Sequence, residues 1–148
     1  MKICLAASAG GHLTELLQLQ PAWENKEHFY VSDARPNALG LAKTSKVFFV
    51  TVPRRNPVKL ALNFFQSLHI FLKEQPDLVV STGADVAVHI CLIAKTFGKQ
   101  VVFIESFCRV QQASESGKIM YGKADLFLVQ WKENLEFFPK AEFKGSVF

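Results

Sequence analysis

The sequence predicts an α/β fold with a doubly wound parallel sheet, and three observations carry that prediction. Its strand-sized segments are apolar throughout, as strands covered on both faces are. They take turns with segments of helical spacing, the order of repeated βαβ units. The first apolar run breaks at a glycine pair, where a parallel unit turns from strand to helix.

Residues 2–8 make the first strand, and Leu13, Leu16, Leu17 and Leu19 then recur at helical spacing. Residues 28–32 and 46–52, rich in Val and Phe, read as the next two strands. Residues 58–74 carry a long helical pattern that stops before Pro76. A strand over 77–81, a helix over 84–97 ending at Gly98, and a buried strand over 100–105 follow. A short helix near 117–122 and a sixth, last strand over 125–129 complete the pattern. The 148 residues suit a single domain, 1–148, with a core large enough to need no disulfide or metal staple.

Three cysteines, Cys4, Cys91 and Cys108, form no CxxC pair, which fits a reduced cytosolic setting. No signal peptide is expected, and no run reaches the roughly 20 apolar residues of a membrane span. The net charge of +4 suits phosphate groups or anionic lipid. The basic residues are scattered and lack the clusters of nucleic-acid binders, so no nucleic acid is expected.

Polar residues collect where strands end, which is where parallel sheets bind ligands. Ser8, Gly10, Gly11 and His12 follow the first strand, Ser81, Thr82 and Gly83 the fourth, Glu105 and Ser106 the fifth. Gly10 and Gly11 let backbone approach a phosphate at a helix N-terminus, or form only a tight turn. G-x-G-x-x-G is absent, and Asp33 is read as a solvated turn residue before a ribose ligand. His12, in the first helical turn, is either a general base kept neutral by the helix dipole or a hydrogen-bonding cap. Ser81-Thr82-Gly83 offers hydroxyls to a phosphate or sugar, or an N-cap, and Asp85 is structural. Glu105 closes an apolar strand and is expected either to bind sugar hydroxyls or to pair with Arg109. His28, His69 and His89 have no metal-ligand spacing, so no metal is assigned.

The helix over 58–73 is apolar around about half its circumference, wider than packing on one sheet needs. Arg54, Arg55 and Lys59 put positive charge beside Leu62 and Phe65, the composition of a membrane-contacting helix; core packing is the alternative.

Taken together, Ser8-Ala9-Gly10-Gly11-His12, Ser81-Thr82-Gly83, Glu105-Ser106-Phe107-Cys108-Arg109-Val110 and Ser116-Gly117-Lys118 resemble the Alg14-like family along nearly the whole chain. Val129-Gln130-Trp131 and Lys144-Gly145 also match its pattern. That family is the acceptor-side subunit of two-piece N-acetylglucosaminyltransferases, with bacterial relatives in capsule and exopolysaccharide synthesis. A more distant similarity is to the N-terminal domain of MurG, whose longer glycine loop and Glu-Gln-Asn segment differ from the turn and the Glu105-Ser106-Phe107 here. The resemblance implies a Rossmann-like N-terminal half of a GT-B enzyme. It implies a separate donor-binding subunit holding a nucleotide-sugar, a UDP-sugar, and no cofactor of this chain's own. The acceptor is a polyprenyl-diphosphate-linked sugar, with Ser8, Gly10, Gly11, Ser81, Thr82, Gly83, Ser106 and Arg109 as its binding residues. His12 or Glu105 is expected to be the catalytic base. Because no membrane segment precedes the first strand, peripheral attachment at the cytoplasmic face of the membrane is expected. A non-catalytic membrane adaptor and a small dinucleotide-binding module are the competing readings.

Overall fold

The computed structural model describes residues 1–148, and all seven strands lie parallel in one sheet. They are β1 (Lys2–Ala7), β2 (Glu27–Ser32), β3 (Val47–Phe49), β4 (Leu78–Gly83), β5 (Gln100–Ile104), β6 (Leu126–Val129) and β7 (Glu142–Phe143). The helices are α1 (Gly11–Gln18), α2 (Pro36–Leu41), α3 (Pro57–Glu74), α4 (Asp85–Thr96) and α5 (Glu115–Met120). The sequence reading did not anticipate α2 or β7. One has six residues around Gly40 and the other two, too short to show a period.

The order β3-β2-β1-β4-β5-β6-β7 reverses direction between β1 and β4. That is the switch point at which a doubly wound sheet opens a crevice. The ends of β1, β4 and β5 therefore adjoin, as the placement of polar residues after those strands requires.

Alternate residues of each strand feed separate cores, because successive side chains point to opposite faces. Cys4 and Ala6 join Phe29, Phe71, Ile90 and Phe103 on the α3 and α4 side. Ile3, Leu5 and Ala7 join Leu13, Leu16, Trp23 and Tyr30 on the α1 side.

The longest helix, α3, is oriented against the usual rule. Asn56 caps it by accepting from the Val58 and Lys59 N–H groups, Pro57 opens it, and Gln75 ends it in a left-handed conformation. Its buried residues are Asn63, Ser67, Ile70, Phe71 and Glu74, three of them polar. Asn63 Nδ2 donates to the Thr51 and Val86 carbonyl oxygens, and its Oδ1 accepts from His89 Nδ1 at 2.7 Å. Side-chain amide bonds thus replace apolar interlock on part of the inner face. Val58, Leu62, Phe65 and Leu72 form the outward stripe, and Phe65 is 64% exposed.

Glu74, at the inner end of α3, receives Lys46 at 2.7 Å and Lys2 at 2.9 Å. The Lys46 hydrogen bond lowers its pKa against the opposing effect of burial, and Lys2 adds to the lowering. A depressed folded-state value means the stabilisation is complete above the unfolded carboxyl's range. It is lost as pH falls through the lower folded value. Glu74→Gln is therefore expected to lower the urea midpoint at pH 7, with the gap from wild type narrowing below about pH 4. Parallel curves down to pH 2 contradict this assignment.

Candidate functional site

The glycine turn rests on a buried carboxylate. Asp33, just past β2, accepts the Ala9 N–H at 2.7 Å and the Ser8 hydroxyl at 3.1 Å, and pairs with Arg35 Nε at 2.5 Å. Arg35 Nη2 also donates to Ser8 Oγ and to the Ala9 carbonyl oxygen. Asp33 is 4% exposed, so it is a structural staple and not a solvated turn residue. Burial raises its pKa, but the Arg35 pairing and the two loop donors outweigh that and hold it below its ordinary value.

Asn37, from the unanticipated α2, brackets Gly10: it accepts the Gly10 N–H and donates to the Gly10 carbonyl oxygen. Gly10 has φ +99°, a left-handed conformation that favours glycine. Beyond it, α1 has no side-chain cap, and the Gly11 and His12 N–H groups have no acceptor in the chain. Arg35 Nη1 bonds to nothing and lies 3.6 Å from where a Gly10 Cβ would stand. Two free amides, the helix dipole and a pinned guanidinium make a seat for an anion.

His12 reaches across the switch point to β4. Its Nδ1 lies 2.8 Å from the Thr82 carbonyl oxygen, and the Thr82 hydroxyl donates to the His12 carbonyl oxygen at 2.7 Å. A carbonyl oxygen only accepts, so Nδ1 carries a proton, and the tautomer this selects has its lone pair at Nε2. His12 lines a cleft of about 260 Å³ with Asp85, Arg109, Ser114, Ser116 and Ile119 among its walls. Asp85, expected to be structural, faces this cleft and accepts the Arg54 N–H at 3.0 Å, joining the basic loop to the rim. Glu115 on the same rim is held below its ordinary range by Lys118 first, with Arg55 and Arg109 contributing.

Several residues expected to touch a ligand are instead buried supports. Ser8 is held between Asp33 and Arg35. Ser81 Oγ accepts the Gly83 N–H, and Thr82 grips His12. Ser106 donates to Glu15, which also receives the Phe107 N–H and the Gln130 amide. Gly83, with φ +104°, is where a side chain would meet Ser116, Phe103 and His12. Glu105 is turned away from the cleft and does not pair with Arg109. At 1% exposure it accepts from the Ser106 N–H and from the Ser114 N–H and hydroxyl, so it makes no direct contact with the cleft. Hydroxyls at strand ends look alike in a sequence whether they face a ligand or a neighbouring loop. Arg35 and Asn37 had no motif to mark them.

This architecture is a Rossmann-like α/β fold that matches the N-terminal half of GT-B enzymes such as MurG. The MurG of Acinetobacter baumannii superposes with a TM-score of 0.75 at 16% identity, over 99% of this chain and 46% of that one. UDP-N-acetylglucosamine 2-epimerase from Rickettsia bellii gives a TM-score of 0.78 at 14% identity, over 99% and 45%. The chain thus spans less than half the length of these structures, and at such identities they establish the fold alone. The family described as "Oligosaccharide biosynthesis protein Alg14 like" matches residues 3–147, and the chain belongs to it. The UDP-N-acetylglucosamine transferase subunit ALG14 of Homo sapiens is 30% identical, over 99% of this chain and 83% of that protein. Its Schizosaccharomyces pombe counterpart is 33% identical, over 94% and 80%.

Two glycines separate a packing requirement from a ligand requirement. A Cβ on Gly117 would run into Glu105 Oε2 and lie 2.8 Å from Ser114 Oγ, whereas one on Gly11 meets nothing within 4 Å. Gly117→Ala is expected to cost about 1–3 kcal/mol, and Gly11→Ala less than about 0.5 kcal/mol. Chemical denaturation of the two variants checks this; equal losses contradict it.

Proposed function

We propose that this chain is the acceptor-binding, membrane-associating subunit of a heteromeric glycosyltransferase. The complex moves a sugar from a UDP-sugar, held by a separate subunit, to a polyprenyl-diphosphate-linked sugar. The observation that carries the reading is His12, with Nδ1–H locked on Thr82 and Nε2 left for the cleft at the switch point. Membership of the Alg14 family supports it, since the relatives named above are subunits of UDP-N-acetylglucosamine transferases.

The geometry supports the following chemistry. The Gly11 and His12 amides and Arg35 hold the acceptor's diphosphate, with Gly10 keeping the turn open to it. Arg109 supplies a further cation at the cleft rim. The acceptor hydroxyl attacks the donor's anomeric carbon as its proton passes to His12 Nε2. The bond from that carbon to the diphosphate oxygen breaks, and the nucleoside diphosphate leaves with the partner subunit. Thr82 keeps the imidazole aligned throughout. The role of base falls to His12 and not to Glu105, whose carboxylate is engaged inside the loop. Asp33, needed as the staple of the turn, is unavailable to a ribose, which weighs against the dinucleotide-binding reading. Capsule or exopolysaccharide as the product's destination rests on the bacterial resemblance alone, and the relatives named above are eukaryotic.

The outward stripe Val58, Leu62, Phe65 and Leu72, beside Arg54, Arg55 and Lys59, fits a membrane surface. No helix is long and apolar enough to cross a membrane. In this reading α3 lies along the surface by its outward stripe, with the lipid tail of the acceptor beside it. The cytoplasmic face, where anionic lipid concentrates, is the face we assign.

Turnover is expected only when this chain and its partner subunit are assembled. His12→Ala should then lower it about 10²–10⁴-fold while the complex still forms. Full turnover by the partner alone supports the adaptor reading, and unchanged turnover in the variant removes His12 as the base. A second prediction concerns the membrane. Each basic residue near an anionic surface contributes about 1 kcal/mol. Replacing Arg54, Arg55 and Lys59 together with Gln should weaken binding to phosphatidylglycerol-containing vesicles by roughly two orders of magnitude. Phe65→Glu should weaken it without lowering the melting temperature; undiminished sedimentation with vesicles contradicts the placement of α3.

A further inference from the structure

Glu105 anchors a series of hydroxyls whose direction is fixed. Its Oε1 accepts the Ser106 N–H at 2.8 Å; Oε2 accepts the Ser114 N–H at 3.2 Å and the Ser114 hydroxyl at 3.0 Å. It forms no ion pair. Ser114 has one hydroxyl hydrogen, and Glu105 takes it. Ser114 Oγ must then accept from its other neighbours, the Gly117 N–H at 2.8 Å and the Ser116 hydroxyl at 3.3 Å. Ser116 Oγ in turn accepts the Ala84 N–H at 3.2 Å. Every donor in the series points toward the carboxylate, and Gly117 leaves the space that the carboxylate fills.

We propose that this polarised series makes Ser116 an obligate hydrogen-bond acceptor in the cleft, so that the cleft selects a ligand group bearing O–H or N–H beside His12. Glu105 is its positioning residue. Ser116 lines the cleft at 7% exposure. Its Oγ and His12 Cε1 lie 3.3 and 3.7 Å from the position a Gly83 Cβ would take, so the two side chains flank that glycine. One lone pair of Ser116 Oγ faces the Ala84 N–H, and the other is left for a ligand. An ether or carbonyl oxygen placed there would meet a lone pair with no hydrogen between them. This inference rests on the cleft being the acceptor site. The selected group is then a hydroxyl or amide N–H on the acceptor sugar, next to the hydroxyl that attacks.

Two measurements test it. Neutron diffraction from deuterium-exchanged crystals of this chain alone is expected to place deuterium on Ser116 Oγ directed at Ser114 Oγ, and none on Glu105. Deuterium directed into the cleft, or on the Glu105 carboxyl, overturns the proposal whatever the ligand is. The second measurement uses the assembled transferase with monodeoxy and mono-O-methyl analogues of a short-chain polyprenyl-diphosphate N-acetylglucosamine. Altering one position is expected to raise KM about tenfold with kcat little changed, the worth of one hydrogen bond. Ser116→Ala should flatten that difference. Glu105→Gln, which offers Ser114 an NH2 group and frees the Ser116 hydrogen to turn, should flatten it too at an unchanged melting temperature. If that variant does not fold, Ser116→Ala decides. A wild-type enzyme that transfers equally to every analogue keeping the attacking hydroxyl overturns the proposal. No transfer to any of them counts against the acceptor-site reading, and the neutron result then decides the series by itself.

Discussion

Two hydrogen bonds between His12 and Thr82 hold the functional end of this molecule together. They join the first turn of α1 to the end of β4 across the point where the sheet reverses its strand order. Each uses a backbone carbonyl of one partner and a side chain of the other, so the two backbones are tied at two points. The same pair sets the imidazole tautomer, holds His12 in the wall of the cleft and fixes where α1 points its unpaired amides. Around it sit two buried carboxylates doing similar work for neighbouring loops. Asp33 shapes the glycine turn, and Glu15 ties Phe107 and Gln130 to α1. In each case a buried carboxyl group receives backbone N–H donors that irregular loops otherwise leave unpaired.

The inverted α3 belongs to the same arrangement. Asn63 anchors it to Thr51 and Val86 through its amide, so the helix needs less apolar surface inward and leaves its large apolar residues outside. The Arg54 N–H bond to Asp85 places the basic loop at the rim of the cleft. In the proposed reading the outward stripe of α3 meets lipid and the cleft takes a diphosphate-linked sugar, and the Arg54–Asp85 bond links the two. That adjacency is what a substrate with a lipid tail and a sugar head requires.

The fold was legible because the apolar runs at β1, β4 and β5 have no alternation, and Gly10, Pro57 and Gly98 punctuate them where the elements turn. The elements missed, α2 and β7, are too short to carry a period. His12 was legible as a residue of the site from its place after a glycine pair. The direction of side chains was not. Ser81, Thr82, Ser106 and Glu105 end strands as ligand-binding residues do, yet turn toward neighbouring loops. Asp33 was read as solvated because its partners Ser8 and Ala9 meet it only once β1 and β2 pair. For α3, composition showed too much apolar surface for one interface, but left open which part would be buried.

The central claim is that this chain binds the acceptor, and the most direct measurement is a ¹⁵N–¹H titration of the isolated chain with a short-chain polyprenyl-diphosphate N-acetylglucosamine. The account predicts saturable shifts at the Gly11 and His12 amides, the Arg35 side chain and the amides of Ala84 and Ser116, with UDP-N-acetylglucosamine producing none of comparable size. Shifts confined to α3, or a response of the glycine turn to the nucleotide-sugar alone, would contradict it.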